Sequence, residues 1–212
     1  MRQAIRRALN DPVARFAVAG LTEVVLPGVE FGMLLADPIF WRRDVPHGDG
    51  HPVVLIPGLL ASDDYLRPLS SWLRRIGYRP LWSGLRIDPG FSEAAIQRIT
   101  QRVEQEHQST GSRISIIGHS MGGALARSAA LRSPNAVRRV ITLGSPMFFG
   151  AQQRLSLSVA LTAIYTRGDR IVRHPHALGR DDHADNIEVT GSHVGLALNA
   201  EVYGHLARVL AA

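Results

Sequence analysis

The chain of 212 residues contains no cysteine and no lysine, and only 6% of its residues are aromatic. Without cysteine, a disulfide framework, a Cys-ligated metal or cluster and a thiol nucleophile are excluded. Without lysine, Schiff-base chemistry and the phosphate-binding lysine of P-loop proteins are excluded. All 24 positively charged residues are therefore arginines, which we interpret as a coding bias. The length is typical of one domain with a single hydrophobic core.

Long uninterrupted apolar runs are also missing. Residues 13–35 are mostly apolar, but Arg15, Glu23, Pro27 and Glu30 interrupt them. A membrane-spanning helix needs about 20 nearly uninterrupted apolar residues, and no small-residue cleavage site follows a hydrophobic core of the kind that signal peptides have. We recognise neither a signal peptide nor a transmembrane helix, so we expect a cytoplasmic protein.

We predict that residues 1–50 form a helical extension and linker that packs on the main domain. The alternative interpretation is a peripheral membrane contact through this arginine-bearing N-terminal segment. The formal net charge of +6 raises the question of a nucleic-acid partner. The arginines are spread along the chain, with only short doublets, which favours a solvated basic surface and no nucleic acid.

From residue 51 to residue 212 the pattern alternates between strands and helices. The run Val53–Ile56 is apolar throughout and ends at Pro57-Gly58, which indicates a strand buried on both faces. Further strands are predicted near residues 79–82, 113–117, 137–143, 160–166 and 186–189. Helices are predicted near residues 63–76, 92–107, 121–132 and 196–210. This alternation predicts an α/β fold, a single domain with a mainly parallel sheet of about six strands flanked by helices.

A serine lies between the strand that ends at Ile117 and the helix that begins at Met121, in the sequence Gly118-His119-Ser120-Met121-Gly122. A nucleophile in so sharp a strand-to-helix turn has a strained backbone, and small residues two positions before and after it give the necessary clearance. The helix directs its N-terminal N–H groups at developing negative charge. Ser120 is the predicted nucleophile; the alternative is an ordinary glycine-rich turn with an exposed serine.

A nucleophilic serine needs a base, and the base needs an orienting acid. Asp169 follows the apolar strand of residues 160–166 and is itself followed by Ile171 and Val172. Strand-end loops of this kind carry the acid in folds with a nucleophile elbow. We assign the acid to Asp169 and expect three other carboxylates to be surface or turn residues. These are Asp181, Asp182 and Asp185.

His193 directly follows the last predicted strand and is the predicted base. His119 adjoins the nucleophile, and we expect it to point away from the chemistry and to serve packing or hydrogen bonding. Three more histidines lie near carboxylates, as in some metal sites, but their spacing matches no reliable ligand motif. They are His174, His176 and His183. We therefore predict no metal and no cofactor.

An oxyanion hole needs two backbone donors that converge on one point. One is expected to be the N–H of Met121, directly after the nucleophile. The other is expected from the loop after the first core strand, where Gly58 lets the backbone turn inward. We assign this second donor to the N–H of Leu59.

These residues together resemble the α/β-hydrolase superfamily and, within it, the small bacterial lipases and esterases. The resemblance covers about residues 51–210. The segment Pro57-Gly58-Leu59-Leu60 looks like the lipase-type oxyanion loop, Gly118–Gly123 like the lipase nucleophile elbow, and Leu143–Pro146 like the strand end that follows it. Asp169 and His193 match the family's acid and base positions. The family's first two strands are missing or replaced by residues 1–50.

Larger lipases insert a helical cap after the strand that ends near Ser145. Only residues 146–158 separate that strand from the next one, which is too short for a helical lid domain. We therefore predict an open cleft with a minimal lid or none. The apolar residues expected to line it are Leu59, Leu60, Met121, Met147, Phe148, Phe149 and Val194. At least one of the adjacent Phe148 and Phe149 is expected to face solvent or substrate.

The predicted function is hydrolysis of carboxylic esters through an acyl-enzyme on Ser120. The predicted substrate is a small-molecule or lipid ester with an apolar acyl chain. A thioesterase or acyltransferase would use the same three residues and differ in the acyl donor or acceptor. A non-catalytic binding module is a further alternative, against which the complete triad argues.

Overall fold

A computed structural model of the chain describes residues 25–41, 45–85, 90–149 and 154–212. Six parallel strands form one sheet in the order β2-β1-β3-β4-β5-β6. The strands are β1 (Pro52–Ile56), β2 (Arg79–Trp82), β3 (Ile114–His119), β4 (Val137–Leu143), β5 (Ala160–Tyr165) and β6 (Ala184–Glu188). The predicted α/β fold with a parallel sheet of six strands is confirmed.

Helices connect the strands and flank the sheet. They are α1 (residues 25–36), α2 (Arg67–Arg75), α3 (Glu93–Thr110), α4 (Met121–Arg132), the one-turn α5 (His174–Ala177) and α6 (Ala200–Ala211). Three 3-10 turns cover Pro38–Trp41, Asp63–Leu66 and Val194–Leu198. The long helix α3 begins where the Ser92 side chain accepts a hydrogen bond from the N–H of Ala95, and it ends at Gly111, whose φ of 70° is left-handed. Both features are ordinary helix boundaries.

The helix predicted over residues 63–76 is in fact a 3-10 turn followed by α2, and Pro68 lies in the first turn of α2. Proline has no N–H to donate and fits this position best. The helix predicted over residues 196–210 is also divided, because the Asn199 side chain accepts hydrogen bonds from the first N–H groups of α6. The short α5 has no counterpart among the predicted helices.

The core lies in two layers, one on each face of the sheet. Alternate residues of β1 divide between the layers, with Val53 and Leu55 on one face and Val54 and Ile56 on the other. This period of two is the geometry of an extended strand. The first layer packs against α2 and α6, and the second packs against α3 and α4.

Part of the predicted N-terminal extension joins the first layer. Leu34 of α1 and Phe40 lie in the same core as Trp72 and Tyr203, and the Trp72 indole donates a hydrogen bond of 2.9 Å to the carbonyl of Ile39. The remainder of the extension, residues 1–24 and 42–44, lies outside the described residues. The division of the chain at residue 50 stays a prediction. Across the ranges that the structure describes, no helix combines the length and hydropathy that crossing a bilayer requires.

Candidate active site

Ser120 occupies a sharp turn between β3 and α4. Its φ of 52° and ψ of −125° are strained for a residue with a side chain. A Cβ atom on Gly118 would collide with the backbone of Gly122 and Gly123. A Cβ atom on Gly122 would collide with the carbonyl groups of Ile56 and Pro57. The two glycines thus provide the clearance that the elbow motif predicts.

His193 lies between Ser120 and Asp169 and contacts both. Its Nδ1 is 2.6 Å from Oδ2 of Asp169, and its Nε2 is 2.9 Å from Oγ of Ser120. An ionised carboxylate only accepts hydrogen bonds, so Nδ1 of the neutral ring carries the proton and Nε2 is free to accept the hydroxyl hydrogen of Ser120. The structure therefore brings the three predicted residues together at the carboxyl ends of the strands, where α/β sheets bind ligands.

Asp169 is fixed by its own loop. Its Oδ1 accepts hydrogen bonds of 2.8 and 2.7 Å from the N–H groups of Ile171 and Val172. Gly144 adds a second constraint, because a Cβ atom there would lie 3.0 Å from Oδ2 of Asp169 and 3.3 Å from Nδ1 of His193. With a φ of 56°, Gly144 also has a conformation that favours glycine. The motif Leu143–Pro146 indicated this strand end but not the role of Gly144.

His119 is buried and lies against the base. The two imidazole centroids are 5.0 Å apart, and Nε2 of His119 donates a 2.9 Å hydrogen bond to the carbonyl of His193. Burial, reinforced by the neighbouring His193, lowers the pKa of His119 to about 4, so this ring is neutral at neutral pH. It also lines the cavity at Ser120. The expectation that it points away from the chemistry is wrong, because the His193 loop folds over the end of β3.

A cavity of about 690 Å³ opens beside Ser120. Five residues proposed from the sequence lie on its wall, namely Leu59, Met121, Phe148, Phe149 and Val194. Phe148 is half exposed, as expected for one of the two phenylalanines. The wall also contains Ile171, Val172, Arg173 and His176, which the sequence did not single out as lining residues. They follow Asp169, so the acid loop also shapes the cavity.

Two predicted cleft residues do not line this cavity. Leu60 has a left-handed φ of 60°, and its side chain is 75% exposed to solvent. Met147 is only 3% exposed and packs in the core layer beside α4, while its N–H donates to the carbonyl of His176. Hydrophobicity alone did not distinguish these two positions, because backbone direction decides which way a loop side chain points.

The predicted oxyanion loop passes close to the nucleophile. A Cβ atom on Gly58 would lie 3.1 Å from Cβ of Ser120, so the backbone approaches Ser120 closely at this point. Leu59 and Met121 both lie on the cavity wall with Ser120. The assignment of their N–H groups to the oxyanion hole stays a prediction.

Asp181 was expected to be a surface or turn residue; it does open a turn, in which the N–H of Ala184 donates to its carbonyl at 2.9 Å, but its side chain does not lie at the surface. Its carboxylate is buried in an ion pair with Arg127, with a shortest distance of 3.1 Å, and it accepts a 2.8 Å hydrogen bond from the N–H of Leu155. Burial opposes ionisation, but the hydrogen bonds from Arg127 and Leu155 outweigh it and lower the pKa of Asp181. Asp182 and Asp185 are exposed. None of the three approaches His193 in the way that Asp169 does.

In the part of the chain that the structure describes, no three His, Asp or Glu side chains form a group that could hold a metal ion. His183 instead pairs with the carbonyl of Val159, and His174 stacks on Tyr165. The expected absence of a metal and of a cofactor stays a prediction.

Comparison with known proteins relates this geometry to a family. Residues 85–202 match the model of the PGAP1-like alpha/beta domain. A triacylglycerol lipase of Burkholderia plantarii is 30% identical over 151 residues, which is 66% of this chain and 42% of the relative. The chain thus spans less than half the length of that lipase.

Solved structures share the fold at low identity. A lipase-esterase related protein of Clostridium acetobutylicum superimposes with a TM-score of 0.58 at 15% identity, over 78% of this chain and 96% of that one. The thioesterase domain of the curacin biosynthetic pathway gives 0.53 at 14% identity, over 79% and 93%. The chain therefore belongs to the PGAP1-like alpha/beta domain family and, in fold and sequence relationship, is an α/β hydrolase of the lipase and esterase type.

Proposed function

We propose that this protein hydrolyses carboxylic esters with Ser120 as nucleophile, His193 as base and Asp169 as the orienting acid. One observation carries the proposal: the two hydrogen bonds that His193 makes in series, 2.6 Å to Asp169 and 2.9 Å to Ser120. In this arrangement the base can take the serine proton while a buried carboxylate stabilises the imidazolium that forms. The strained elbow at Ser120 supports the same assignment.

The proposed reaction follows from these positions. Ser120 attacks the ester carbonyl while His193 accepts its proton, and the N–H groups of Leu59 and Met121 bind the oxyanion. His193 then gives the proton to the leaving alcohol. Water that His193 activates releases the acid and restores Ser120. No step requires a metal or a cofactor.

The proposed substrate is an ester with an apolar acyl chain, either a small molecule or a lipid. The cavity of about 690 Å³ is large enough for such a chain, and Leu59, Phe148 and Ile171 on its wall are apolar. The name of the Burkholderia plantarii relative, triacylglycerol lipase, points to the same class. A cytoplasmic location and the absence of a nucleic-acid partner stay part of the proposal.

A peripheral contact with a lipid surface is proposed as well. Val25, Val29 and Met33 of α1 are each more than half exposed and recur at helical spacing. Apolar side chains on one face of a surface helix insert at the boundary between headgroups and acyl chains. Co-sedimentation with anionic vesicles at low and high salt measures this contact; equal recovery in the supernatant with and without vesicles would contradict it.

The experiment that tests the activity compares the wild type with Ser120→Ala on p-nitrophenyl esters from acetyl to palmitoyl. We expect hydrolysis by the wild type and its loss in the variant, because Oγ of Ser120 is the hydroxyl oxygen that His193 Nε2 contacts at 2.9 Å. The chain-length optimum separates an esterase from a lipase. Absence of hydrolysis at every length by a folded wild type would contradict the proposal and bring thioesters forward as substrates.

A further inference from the structure

A carboxylate from the N-terminal part of the chain reaches the loop that carries His193. Glu30 lies on α1 and accepts two hydrogen bonds from Ser192, the residue directly before His193. The N–H of Ser192 donates to Oε1 at 2.8 Å, and its hydroxyl donates to Oε2 at 2.6 Å. Ser192 is only 1% exposed. Hydrogen bonds to an ionised acceptor are about twice as strong as neutral ones, so Glu30 fixes both the backbone and the side chain of Ser192.

The loop is shaped to receive this carboxylate. A Cβ atom on Gly191, on one side of Ser192-His193, would lie 2.7 Å from Oε1 of Glu30. A Cβ atom on Gly195, on the other side, would occupy the space of the Glu30 carboxylate itself. A side chain at position 195 would therefore exclude the Glu30 carboxylate, and one at position 191 would crowd it. Two glycines that flank the base and both face one carboxylate indicate a built contact, not a chance approach of two surface groups.

The constraint passes from Glu30 to His193 through Ser192. While its hydroxyl donates to Glu30, Oγ of Ser192 accepts a 3.1 Å hydrogen bond from the N–H of Gly195. This closes a turn around His193. The side chains of His119 and Tyr65 donate to the carbonyl groups of His193 and of the next residue. The backbone around His193 is thus held by two donors, His119 and Tyr65, and by one acceptor, Glu30.

We propose that Glu30 is a positioning residue for His193. It holds the loop so that the imidazole keeps its short contacts to Ser120 and Asp169 at the same time. The inference rests on the proposed function, since it assigns His193 the role of base. Glu30 lies outside residues 85–202, the stretch that matches the family model. The assignment therefore adds a residue to the site from a part of the chain that the family model does not cover.

The chain offers a matched control. Glu201 accepts hydrogen bonds from both the N–H and the hydroxyl of Thr190, at 3.0 and 3.1 Å. Thr190 lies in the same loop as Ser192, three residues before His193. The test compares kcat and KM of Glu30→Ala and Glu201→Ala with those of the wild type on p-nitrophenyl butyrate, well below the unfolding temperature of each protein. A displacement of about 1 Å of a catalytic group costs on the order of a hundredfold in rate. We therefore expect kcat of Glu30→Ala to fall about tenfold to a hundredfold, with KM within about twofold.

Rescue by a conservative variant distinguishes positioning from general loosening. The amide of Glu30→Gln keeps an acceptor for the N–H of Ser192 and can donate to its hydroxyl oxygen, so we expect kcat well above that of Glu30→Ala. Glu201→Ala is expected to keep the wild-type kcat. An unchanged kcat in Glu30→Ala, or an equal loss of kcat in the two alanine variants, would overturn the proposal.

A spectroscopic measurement keeps this test separate from the test of the proposed function. We expect the Nδ1 proton of His193, in a 2.6 Å hydrogen bond to Asp169, to give a proton NMR signal far downfield. We expect the signal to shift or broaden in Glu30→Ala and to stay in place in Glu201→Ala, whether or not the ester is a substrate. An unmoved signal in Glu30→Ala would overturn the positioning role, whereas an inactive wild type with a signal sensitive to Glu30 would overturn only the ester activity. If Glu30→Ala does not fold, Ser192→Ala, which removes the hydroxyl that donates to Oε2 of Glu30, is measured in the same way.

Discussion

At the residue scale, each polar side chain of the candidate site depends on partners that fix its orientation. Asp169 is the clearest case. One oxygen accepts hydrogen bonds from the N–H groups of Ile171 and Val172, which leaves the other to accept from His193. A carboxylate so fully engaged cannot rotate. It therefore selects the imidazole tautomer in which Nε2 is free to take the proton of Ser120.

We expect Asp169→Asn to lower kcat on the order of 10⁴-fold, the loss known when the acid of the serine-protease triad is replaced by its amide. The amide keeps the size of the side chain but no longer enforces the correct tautomer of His193. Steady-state rates on p-nitrophenyl esters measure the effect, with the exposed Asp182→Asn as control. Near-full activity in Asp169→Asn would contradict the assignment of the acid role to Asp169.

His119 links the protonation of the protein to its stability. Its pKa falls from 6.5 in the ordinary case to about 4 in the folded protein, mainly through burial. Between pH 4 and pH 6.5 the imidazole of His119 is protonated in the unfolded chain but neutral in the folded one. The stabilisation that comes from keeping His119 neutral is therefore fully present above pH 6.5. It is lost as the pH falls to 4, which lowers the free energy of unfolding by about 3 kcal/mol in all.

We expect His119→Gln to unfold with a flatter dependence on pH between 6.5 and 4, since glutamine does not titrate. Its amide can still donate to the carbonyl of His193, which limits other changes. Urea denaturation at several pH values measures the free energy of unfolding of both proteins. Parallel curves for the two proteins would show that His119 is not the titrating group.

At the element scale, the strongest local patterns determined the boundaries. β2, α4 and β4 begin and end at the residues that the sequence predicts. Each is bounded by a glycine, a proline or a change of periodicity within a few residues. The boundaries that differ depend on less visible signals. Asn199 divides the last helix because its side-chain oxygen accepts hydrogen bonds from the N–H groups of Glu201 and Val202. The spacing of apolar residues does not reveal a cap of this kind.

The nucleophile elbow is expected to tolerate no side chain at Gly122, because a Cβ atom would meet the carbonyl groups of Ile56 and Pro57. Gly122→Ala should lower the free energy of unfolding by about 1–3 kcal/mol or more. Gly32→Ala is the matched control, since nothing lies within 4 Å of its Cβ position in α1. It should be stabilising by about 0.5–1 kcal/mol.

Chemical denaturation of the two alanine variants beside the wild type measures both effects. Equal stability of Gly122→Ala and the wild type would mean that α4 can shift away from β1 without cost. Such a result would contradict the close contact between the elbow and the end of β1.

At the scale of the whole molecule, the candidate site draws on parts of the chain that are far apart in sequence. The acid, the base and the nucleophile follow three different strands, and Glu30 reaches the site from α1. Within the described ranges, Leu59, Phe148 and Ile171 on the cavity wall are each more than half exposed, which supports the predicted open cleft. We therefore expect a substrate to reach Ser120 along this wall without displacing these side chains from a core.

Because of this open wall, we expect little or no interfacial activation. The initial rate on tributyrin should rise smoothly with concentration through the solubility limit. A lipase with a known lid, measured in parallel, serves as the positive control for a sharp increase of the rate at the solubility limit. A sharp rise of the rate at the solubility limit would contradict the open cleft and indicate that access to Ser120 is gated.

The sequence by itself determined what depends on neighbouring residues. The elbow at Ser120 is such a case, because a nucleophile, two glycines, an apolar strand and the start of a helix are all local requirements. The alternation of strands and helices likewise predicted the parallel sheet. Asp169 and His193 could be proposed because each follows a recognisable strand, and parallel strands end at one edge of a sheet.

Only the tertiary structure decided the contacts between distant residues. Glu30 with Ser192, His119 with the carbonyl of His193, and Arg127 with Asp181 are hydrogen-bonded pairs. None of these pairs follows from a period or a spacing, since a hydrogen bond across the fold depends on how whole elements pack. The same holds for Met147, which faces the core although its neighbour Phe148 faces the cavity. The candidate site residues could be predicted from local motifs, whereas the distant residues that hold them in place could be identified only in the folded structure.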